Sequence, residues 1–215
     1  MSRLRSTSLA LGFSVSLLAL VGAGTAFSDE WSLTRSGEEM WVYTRDRAGS
    51  DIKEVRLEML VDAPIAAINA VLDDAARQPE WVYKCVEARD LGGDIATGWH
   101  YYSRIDMPWP LEDRDVVARV VGGLVGDTYT STSTAAPTRA PHVEGCVRLT
   151  DFDVRTEYRA TEDGRTRVTY QLHSEPGGNV PSWLVNLFVD RGPVETMTRL
   201  RSLVESEAAR AVADR

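Results

Sequence analysis

The stretch that decides the fold is Ser174-Glu175-Pro176-Gly177-Gly178-Asn179-Val180-Pro181-Ser182-Trp183-Leu184-Val185-Asn186. Before it, apolar residues alternate with polar ones as in a half-buried strand, at Val168, Tyr170 and Leu172. After it, apolar residues recur at steps of three and four, as on one face of a helix, at Val194, Met197, Leu200 and Val204. The stretch therefore predicts a corner at which a strand leads into a long C-terminal helix, and Gly192-Pro193 predicts a kink or a new start in that helix.

The N-terminal segment has the pattern of a secretory signal peptide. Arg3 and Arg5 precede an apolar run at 9–23, and the small residue Ala26 suits cleavage by signal peptidase. The run is shorter than the roughly 20 residues that a membrane-spanning helix needs. We therefore expect a signal peptide at 1–26 and a single exported domain at 27–215, periplasmic or secreted. An uncleaved N-terminal anchor stays open as the alternative.

Composition limits the partners and the redox chemistry. The chain has 24 Lys and Arg against 32 Asp and Glu, a net charge of −8. Loss of Arg3 and Arg5 with the signal peptide removes two positive charges and makes the net charge −10. Such an acidic domain disfavours nucleic acid and anionic membrane surfaces as electrostatic partners. An oxidising compartment permits a disulfide between Cys85 and Cys146, and two buried free thiols are the alternative.

Most of the chain before the corner is strand-like. The pattern predicts strands at 41–44, 52–61, 85–91, 98–107, 115–121, 128–133, 146–158 and 167–173. Turn residues separate several of them, at Gly92-Gly93, Gly122-Gly123, 137–141 and Asp163-Gly164. Near Asp151 the apolar residues change from odd positions, at Val147 and Leu149, to even positions, at Phe152 and Val154. This change predicts a bulge or a sharp bend in the strand. One short helix is expected between Pro64 and Gln78-Pro79, and the whole pattern indicates an α+β fold with an antiparallel sheet and segregated helices.

Several segments occur in the order found in the START lipid-transfer domain family, over roughly residues 30–205. They are Trp41-Val42-Tyr43-Thr44 with Ile52-Lys53-Glu54-Val55-Arg56, Glu80-Trp81, Tyr101-Tyr102 leading to Pro108-Trp109-Pro110-Leu111-Glu112-Asp113-Arg114-Asp115-Val116, Gly145-Cys146-Val147-Arg148, and Pro176-Gly177-Gly178 with the residues that follow it. The chain resembles this family as a bacterial-type exported member, and within it the phosphatidylcholine-transfer branch. The resemblance implies a helix-grip fold, in which a curved antiparallel sheet wraps around a long C-terminal helix and encloses a cavity for a lipid.

The headgroup positions of that branch do not carry over. The arginine and aspartate that bracket the phosphate in the branch fall on Gln78 and Val82 of this chain, and the aromatic cage positions fall on Ser103, Val116 and Phe152. One ring cannot surround a cation, which needs aromatic faces on several sides. The resemblance therefore implies the scaffold of that branch without implying phosphatidylcholine as the ligand.

The resemblance also implies where a ligand binds. The residues expected to contact it, in the cavity or in a lid over it, are Trp99, Tyr101, Ser103, Trp109, Arg114, Phe152, Tyr170, Trp183, Met197, Leu200 and Val204. In the stiff loop 107–111, Trp109 either touches the bilayer during lipid exchange or packs under the lid helix. Arg114 either orients a ligand oxygen or forms a structural ion pair with Asp115 or another nearby carboxylate.

Signals of catalysis are weak. The histidines His100, His142 and His173 have no metal-ligand spacing, and the sequence has no phosphate loop, nucleophile elbow or dinucleotide motif. We therefore expect no cofactor and no metal, and a monomeric, non-enzymatic protein that carries or presents one lipid or sterol-like molecule, with transient membrane contact. Two alternatives stay open: a helix-grip enzyme acting on a hydrophobic or polyketide-like substrate in the same cavity, and a sensory or assembly module whose cavity is filled by side chains.

Overall fold

The computed structural model describes residues 30–214, and within them ten strands form one sheet. The strands are β1 Ser32–Gly37, β2 Met40–Arg45, β3 Glu54–Val61, β4 Cys85–Gly92, β5 Trp99–Ile105, β6 Asp113–Val125, β7 Thr128–Ala135, β8 Cys146–Arg148, β9 Phe152–Ala160 and β10 Thr166–Ser174. Their order across the sheet is β1-β2-β3-β10-β9-β7-β6-β5-β4, with β8 paired in parallel to β6 and all other neighbours antiparallel. The predicted signal peptide at 1–26 lies outside the described residues.

The helices form two groups. One group connects β3 to β4 and consists of α1 Ile65–Leu72, a 3-10 turn at Ala75–Arg77 and α2 Gln78–Trp81; the other follows the corner and consists of α3 Ser182–Leu187 and α4 Arg191–Ala213. The predicted new start at Gly192-Pro193 is confirmed, because α4 begins at Arg191 and Pro193 lies in its first turn. N–H groups in the first turn make no hydrogen bond within the helix, so the missing N–H of proline costs nothing there. No helix within residues 30–214 is long and apolar enough to cross a membrane. The single sheet of mainly antiparallel strands and the long C-terminal helix α4 confirm the predicted α+β helix-grip architecture.

The predicted helix end at Gln78-Pro79 is wrong. Helix α1 already ends at Leu72, and the Asp74 carboxylate accepts a hydrogen bond from the N–H of Ala76 at 3.0 Å, which starts a new turn. Pro79 then falls in the first turn of α2, a position that helices tolerate well. A proline therefore marked the start of a helix where the sequence pattern indicated an end.

The apolar core joins α1 and α4 to the β2–β3 part of the sheet. The alternation predicted within 52–61 is confirmed, since one face of β3 is fully buried at Val55, Leu57, Met59 and Val61. Met197, Leu200 and Val204 of α4 pack into the same cluster. Full burial of an apolar side chain of this size contributes about 1.5–3 kcal/mol relative to exposure. These contacts fix α4 against the sheet.

Two predicted breaks in the strand pattern had different outcomes. The bend near Asp151 is confirmed, because β8 ends at Arg148 and β9 begins at Phe152 with different partner strands. The turn at Gly122-Gly123 is wrong, since both glycines lie within β6 and the hairpin turns after Val125. A Cβ on Gly122 would lie 2.7 Å from the Cβ of Ser131, so the glycine permits close approach of β7.

The two cysteines are free thiols. Cys85 and Cys146 are both buried and are not joined by a disulfide. Burial raises the pKa of each thiol. Both therefore stay protonated at neutral pH and act as small core side chains.

Candidate functional site

The corner between β10 and α3 depends on two glycines in the left-handed region. Gly177 has a φ of +61° and Gly178 a φ of +64°. Residues that have a Cβ adopt this region at a cost of roughly 1–2 kcal/mol. A Cβ on Gly177 would also lie 2.8 Å from Cγ1 of Val147. Backbone conformation and packing against β8 therefore both favour glycine at Gly177.

Arg114 of β6 fastens the corner to the sheet. Its guanidinium donates from Nε to the carbonyl oxygen of Pro176 at 3.1 Å and from Nη2 to that of Gly177 at 3.2 Å. Nη1 donates to the carbonyl oxygen of Glu112 at 2.6 Å. Arg114 is buried, and its burial lowers the pKa of the guanidinium. Each of its three nitrogen atoms donates to a main-chain carbonyl, so Arg114 holds the Pro-Gly-Gly segment in place.

Asp115 pairs with Arg148 of β8. Nε and Nη2 of Arg148 each donate to one carboxylate oxygen at 2.8 Å, and Asp115 is fully buried. Arg148 also donates to the carbonyl oxygen of Pro137 at 2.7 Å, which ties the loop before β8 to the sheet. The alternative of an ion pair between Arg114 and Asp115 is wrong, because neighbours along a strand point to opposite faces.

A pocket of about 320 Å³ lies between the sheet and the helices α1, α2 and α4. Small-molecule sites typically have volumes of roughly 300–1,000 Å³. The sheet side of the pocket is formed by Trp99, Tyr101, Ser103, Ile105, Val116, Val120, Ser131, Ser133, Leu149, Phe152, Val154, Thr156, Tyr158, Tyr170 and Leu172. The helix side is formed by Leu72, Gln78, Trp81, Val82, Tyr83, Gly192, Pro193, Thr196 and Met197.

The pocket wall is apolar with a few neutral polar groups. Among the described residues that line it, none is Asp, Glu, Lys, Arg or His. The hydroxyls of Ser131 and Thr156 share one hydrogen bond of 2.6 Å. Burial raises the pKa of Tyr158 to about 12 and also raises the pKa values of Tyr101 and Tyr170, so these phenols are uncharged at neutral pH. The wall can bury carbon and bind a few oxygen atoms, but it offers no counter-charge.

The structure brings together six of the eleven residues expected to contact a ligand, namely Trp99, Tyr101, Ser103, Phe152, Tyr170 and Met197. Leu200 and Val204 lie in the apolar core instead, 2% and 1% exposed. Trp109 and Trp183 are 93% and 69% exposed, and Arg114 binds the corner. The apolar stripe of α4 therefore meets the pocket only in its first turns and continues into the core.

All five headgroup positions transferred from the phosphatidylcholine-transfer branch line this pocket: Gln78, Val82, Ser103, Val116 and Phe152. They come from α2 and the residue that follows it, and from β5, β6 and β9, which are far apart in sequence. Their convergence supports the correspondence by which they were assigned. The pocket lining has neither the charged pair nor the aromatic cage that the resemblance would place at these positions.

Two of the segments that expose large apolar side chains expose a tryptophan. The loop between β5 and β6 exposes Trp109, so the alternative in which this ring packs under a helix is wrong. The segment around α3 exposes Trp183, Leu187 and Phe188. Helix α3 buries none of its residues, and the side chain of Asn186 holds it by accepting from the N–H of Lys53 at 2.9 Å and donating to the carbonyl oxygen of Asp51 at 2.8 Å. The side chain of Asn186 therefore ties α3 to the segment before β3.

Sequence reasoning missed several wall residues. Ser131 and Ser133 alternate along β7, and Thr156 and Tyr158 alternate along β9, so each pair shares one face of its strand. The period of two could have identified them as a set. On β7 it could not have shown which face points inward, because both faces carry small hydroxyl residues, serine on one and threonine on the other. On β9 the inward face is marked by its apolar residues Phe152, Val154 and Tyr158.

A cluster of Asp151, His173 and Glu175 was also missed. Their possible ligand atoms all lie within 4.8 Å of one another. The Ser50 hydroxyl donates to the Glu175 carboxylate, and the N–H of Glu175 donates to the carbonyl oxygen of Asp151 at 3.0 Å. The cluster links the segment before β3 to the corner, and the expectation of no metal stays a prediction.

Comparisons with known proteins agree with this fold. The chain matches the family model described as START domain over residues 17–210. It is 36% identical over 184 residues to an uncharacterized protein of Pseudomonas aeruginosa, covering 85% of this chain and 91% of that protein. It is 27% identical over 162 residues to human START domain-containing protein 10, covering 73% of this chain and 55% of that protein. The chain thus spans about half the length of the human relative.

Solved structures have the same architecture. A STAR-related lipid transfer protein from Xanthomonas axonopodis (fragment 25–204) superposes with a TM-score of 0.76 at 32% identity, covering 82% of this chain and 99% of that one. Human StAR-related lipid transfer protein 5 superposes with a TM-score of 0.74 at 18% identity, covering 86% of this chain and 89% of that one. At that identity the second likeness shows the fold alone.

Proposed function

The chain belongs to the START domain family, and from this premise we propose that it binds one hydrophobic molecule in the pocket and carries or presents it without catalysing a reaction. The observation that carries the proposal is the pocket of about 320 Å³ with an uncharged, mostly apolar wall. The similar protein from Xanthomonas axonopodis is named a lipid transfer protein, which supports a lipid as the molecule bound. Each buried methylene group of such a ligand contributes about 0.8 kcal/mol of affinity.

The ionisable groups of the pocket favour binding over catalysis. The titratable side chains that line it are tyrosines, and burial raises the pKa values of Tyr101, Tyr158 and Tyr170. General acid–base catalysis works best with a pKa close to the working pH. These phenols instead hold their protons and act as hydrogen-bond donors. An enzyme of the wider superfamily would need a titrating group aimed into the pocket.

The test combines lipid extraction with transfer between vesicles. We expect mass spectrometry to find lipid in solvent extracts of the purified full chain, and the protein to move a fluorescent lipid from donor to acceptor vesicles. Ser131→Phe should abolish both because it fills the pocket. Thr132→Phe is the matched control, since Thr132 is exposed and neighbours along a strand point to opposite faces. Recovery of no lipid together with no transfer by the unmodified protein would refute the proposal.

We propose that the loop containing Trp109 makes the transient membrane contact. This side chain is 93% exposed, and indole rings favour the membrane interface. Vesicles of phosphatidylcholine should shift the tryptophan emission of the protein to shorter wavelength, and Trp109→Ala should remove most of the shift. The substitution should change the free energy of unfolding by less than about 0.5 kcal/mol because the site is exposed. If vesicles shift the emission of Trp109→Ala as much as that of the unmodified protein, the loop does not make the membrane contact.

We also propose that the protein is exported and monomeric. The basic residues, apolar run and cleavage site at 1–26 support export. The mass of the protein recovered from an expressing cell should correspond to a chain that starts at Phe27. Sedimentation should give the mass of one chain, and retention of residues 1–26 in a membrane fraction would favour the anchor instead.

A further inference from the structure

We propose that the pocket selects an uncharged lipid that carries a hydroxyl or carbonyl oxygen, and that Tyr101 and Tyr170 bind this oxygen. Lipids with an ionised headgroup would be disfavoured. This inference rests on the proposed function, because it concerns the chemistry of the molecule bound in the same pocket.

The curvature of the sheet brings Tyr101 and Tyr170 to one site. Tyr101 is on β5 and Tyr170 is on β10, with β6, β7 and β9 between them. Four strand spacings would separate them by about 19 Å in a flat sheet. Both side chains line the pocket, and Tyr101 lies near enough that negative charge on it would add to the effect of burial in raising the pKa of Tyr170.

The two phenol hydroxyls are available to a ligand. Within residues 30–214 neither makes a side-chain hydrogen bond to another residue. By contrast, the hydroxyls of Ser131 and Thr156 already bind each other at 2.6 Å. Both residues are half-buried and line the pocket, so their hydroxyls can bind water there or a ligand. An oxygen of a bound lipid would give Tyr101 and Tyr170 the acceptor that the protein does not provide.

The rest of the wall disfavours an ionised headgroup. A phosphate or ammonium group that leaves water needs an opposite charge or several hydrogen bonds to replace its hydration. None of the described residues lining the pocket carries a charge at neutral pH. Gln78 and Val82 can neither neutralise a phosphate nor replace its full hydration. An alcohol or ester loses only a few hydrogen bonds on entry, which the tyrosine hydroxyls can replace.

A competing arrangement is available near Tyr83 of the pocket wall. The guanidinium groups of Arg191 and Arg199 lie 6.0 Å and 5.6 Å from the centre of the Tyr83 ring, and both residues are exposed. A phosphate could bind there while its acyl chain occupied the pocket. Exposed charges are hydrated and screened by salt, which weakens such binding. The experiment therefore includes these two arginines as the rival site.

The test uses three probes that share one hexadecanoyl chain and differ in charge. They are monopalmitoylglycerol, which is uncharged, palmitate, which is anionic at neutral pH, and palmitoyl lysophosphatidylcholine, which is zwitterionic. Binding to the full chain is measured by calorimetry and by tryptophan emission, below the concentration at which each probe forms micelles. We expect monopalmitoylglycerol to bind at least about tenfold more tightly than the other two. Palmitate should bind more tightly as its carboxylate becomes protonated at lower pH.

Variants of the full chain assign the effect to the two tyrosines. Tyr101→Phe and Tyr170→Phe should each weaken binding of monopalmitoylglycerol roughly three- to tenfold. Tyr43→Phe is the control, because Tyr43 lies on β2 outside the pocket. The double variant Arg191→Ala/Arg199→Ala should leave this affinity unchanged. Thermal melts verify that each variant is folded.

The outcomes separate this inference from the proposed function. Equal or tighter binding of palmitate or the lysophospholipid at neutral pH, or binding that depends on Arg191 and Arg199, would overturn the selection of an uncharged lipid while leaving a lipid carrier in place. Unchanged affinity in both tyrosine variants would overturn their role. If no probe binds and no lipid moves between vesicles, the carrier function itself fails, and this inference fails with it.

Discussion

Replacement of Gly177 by alanine should destabilise the protein by about 2–3 kcal/mol, more than the same replacement at Gly178. Both glycines have a positive φ, at +61° and +64°, so each alanine costs about 1–2 kcal/mol in backbone conformation. At Gly177 the new Cβ would also lie 2.8 Å from Cγ1 of Val147, which must leave its preferred rotamer at a cost of about 0.5–1.5 kcal/mol. At Gly178 the nearest atom is Nη2 of Arg114 at 3.6 Å, an ordinary contact.

Urea denaturation followed by circular dichroism measures the difference, with Gly178→Ala as the matched control for the backbone cost. A background of Val147→Ala removes the methyl group that the new Cβ would meet. Gly177→Ala should therefore cost about 1 kcal/mol less in that background than in the unmodified protein, which a double-mutant cycle detects as coupling. Gly178→Ala should show little coupling to the same change.

Two results would refute this reasoning. Equal destabilisation by the two alanine substitutions would mean that contact with Val147 contributes nothing. Strict additivity of Gly177→Ala and Val147→Ala would mean that the corner relaxes away from β8 without cost. Either result would show that packing does not fix the corner at Gly177.

Three further predictions concern a buried ion pair, a buried phenol and helix α3. Arg148→Met should lower the free energy of unfolding by about 3–5 kcal/mol, measured by urea denaturation, because it leaves the Asp115 carboxylate buried without its partner. Adding Asp115→Asn should recover part of that free energy. Between pH about 10 and about 12 stability should fall as pH rises, because Tyr158 loses its proton at a lower pH in the unfolded chain than in the folded protein, where its pKa is about 12; thermal melts of Tyr158→Phe should show a smaller fall, and an unchanged fall would contradict this. Asn186→Ala removes the side-chain bonds that hold α3, so amide exchange at 182–187 should accelerate while global stability changes by less than about 2 kcal/mol.

Much of the fold could be predicted because its signals are local. The alternation within 52–61 and the steps of three and four after Gly192-Pro193 follow from the two-residue period of a strand and the 3.6-residue period of a helix. A single chain carries these periods whatever its partners are. Predictions failed where one residue type occurs in two kinds of structure. The pattern predicts a turn at Gly122, but this residue lies within a strand and permits close approach of the neighbouring strand. The pattern predicts the end of a helix at Pro79, but this residue lies in the first turn of one.

Only some residues of the candidate site could be predicted from the sequence. Trp99 and Tyr101 could be expected inside because they share one strand face, and both line the pocket. Leu200 and Val204 belong to the same helical stripe as Met197, yet they pack in the core. The stripe shows which face of α4 is buried but not what each turn of that face meets. That depends on how α4 crosses the sheet.

The sequence by itself determined the order of most strands and helices, although it missed β1 and joined β8 to β9. It also determined the corner at Pro176-Gly177-Gly178 and the departure from the headgroup positions of the phosphatidylcholine-transfer branch. The elements and the corner depend on residue type and spacing, and the departure depends on the resemblance to that branch. The tertiary structure decided that Arg114 binds the carbonyls of that corner, and that Tyr101 and Tyr170 line one pocket. These pairings join distant segments, and they arise from the curvature of the sheet and the register of its strands, which involve all the strands together and are not encoded in any one of them.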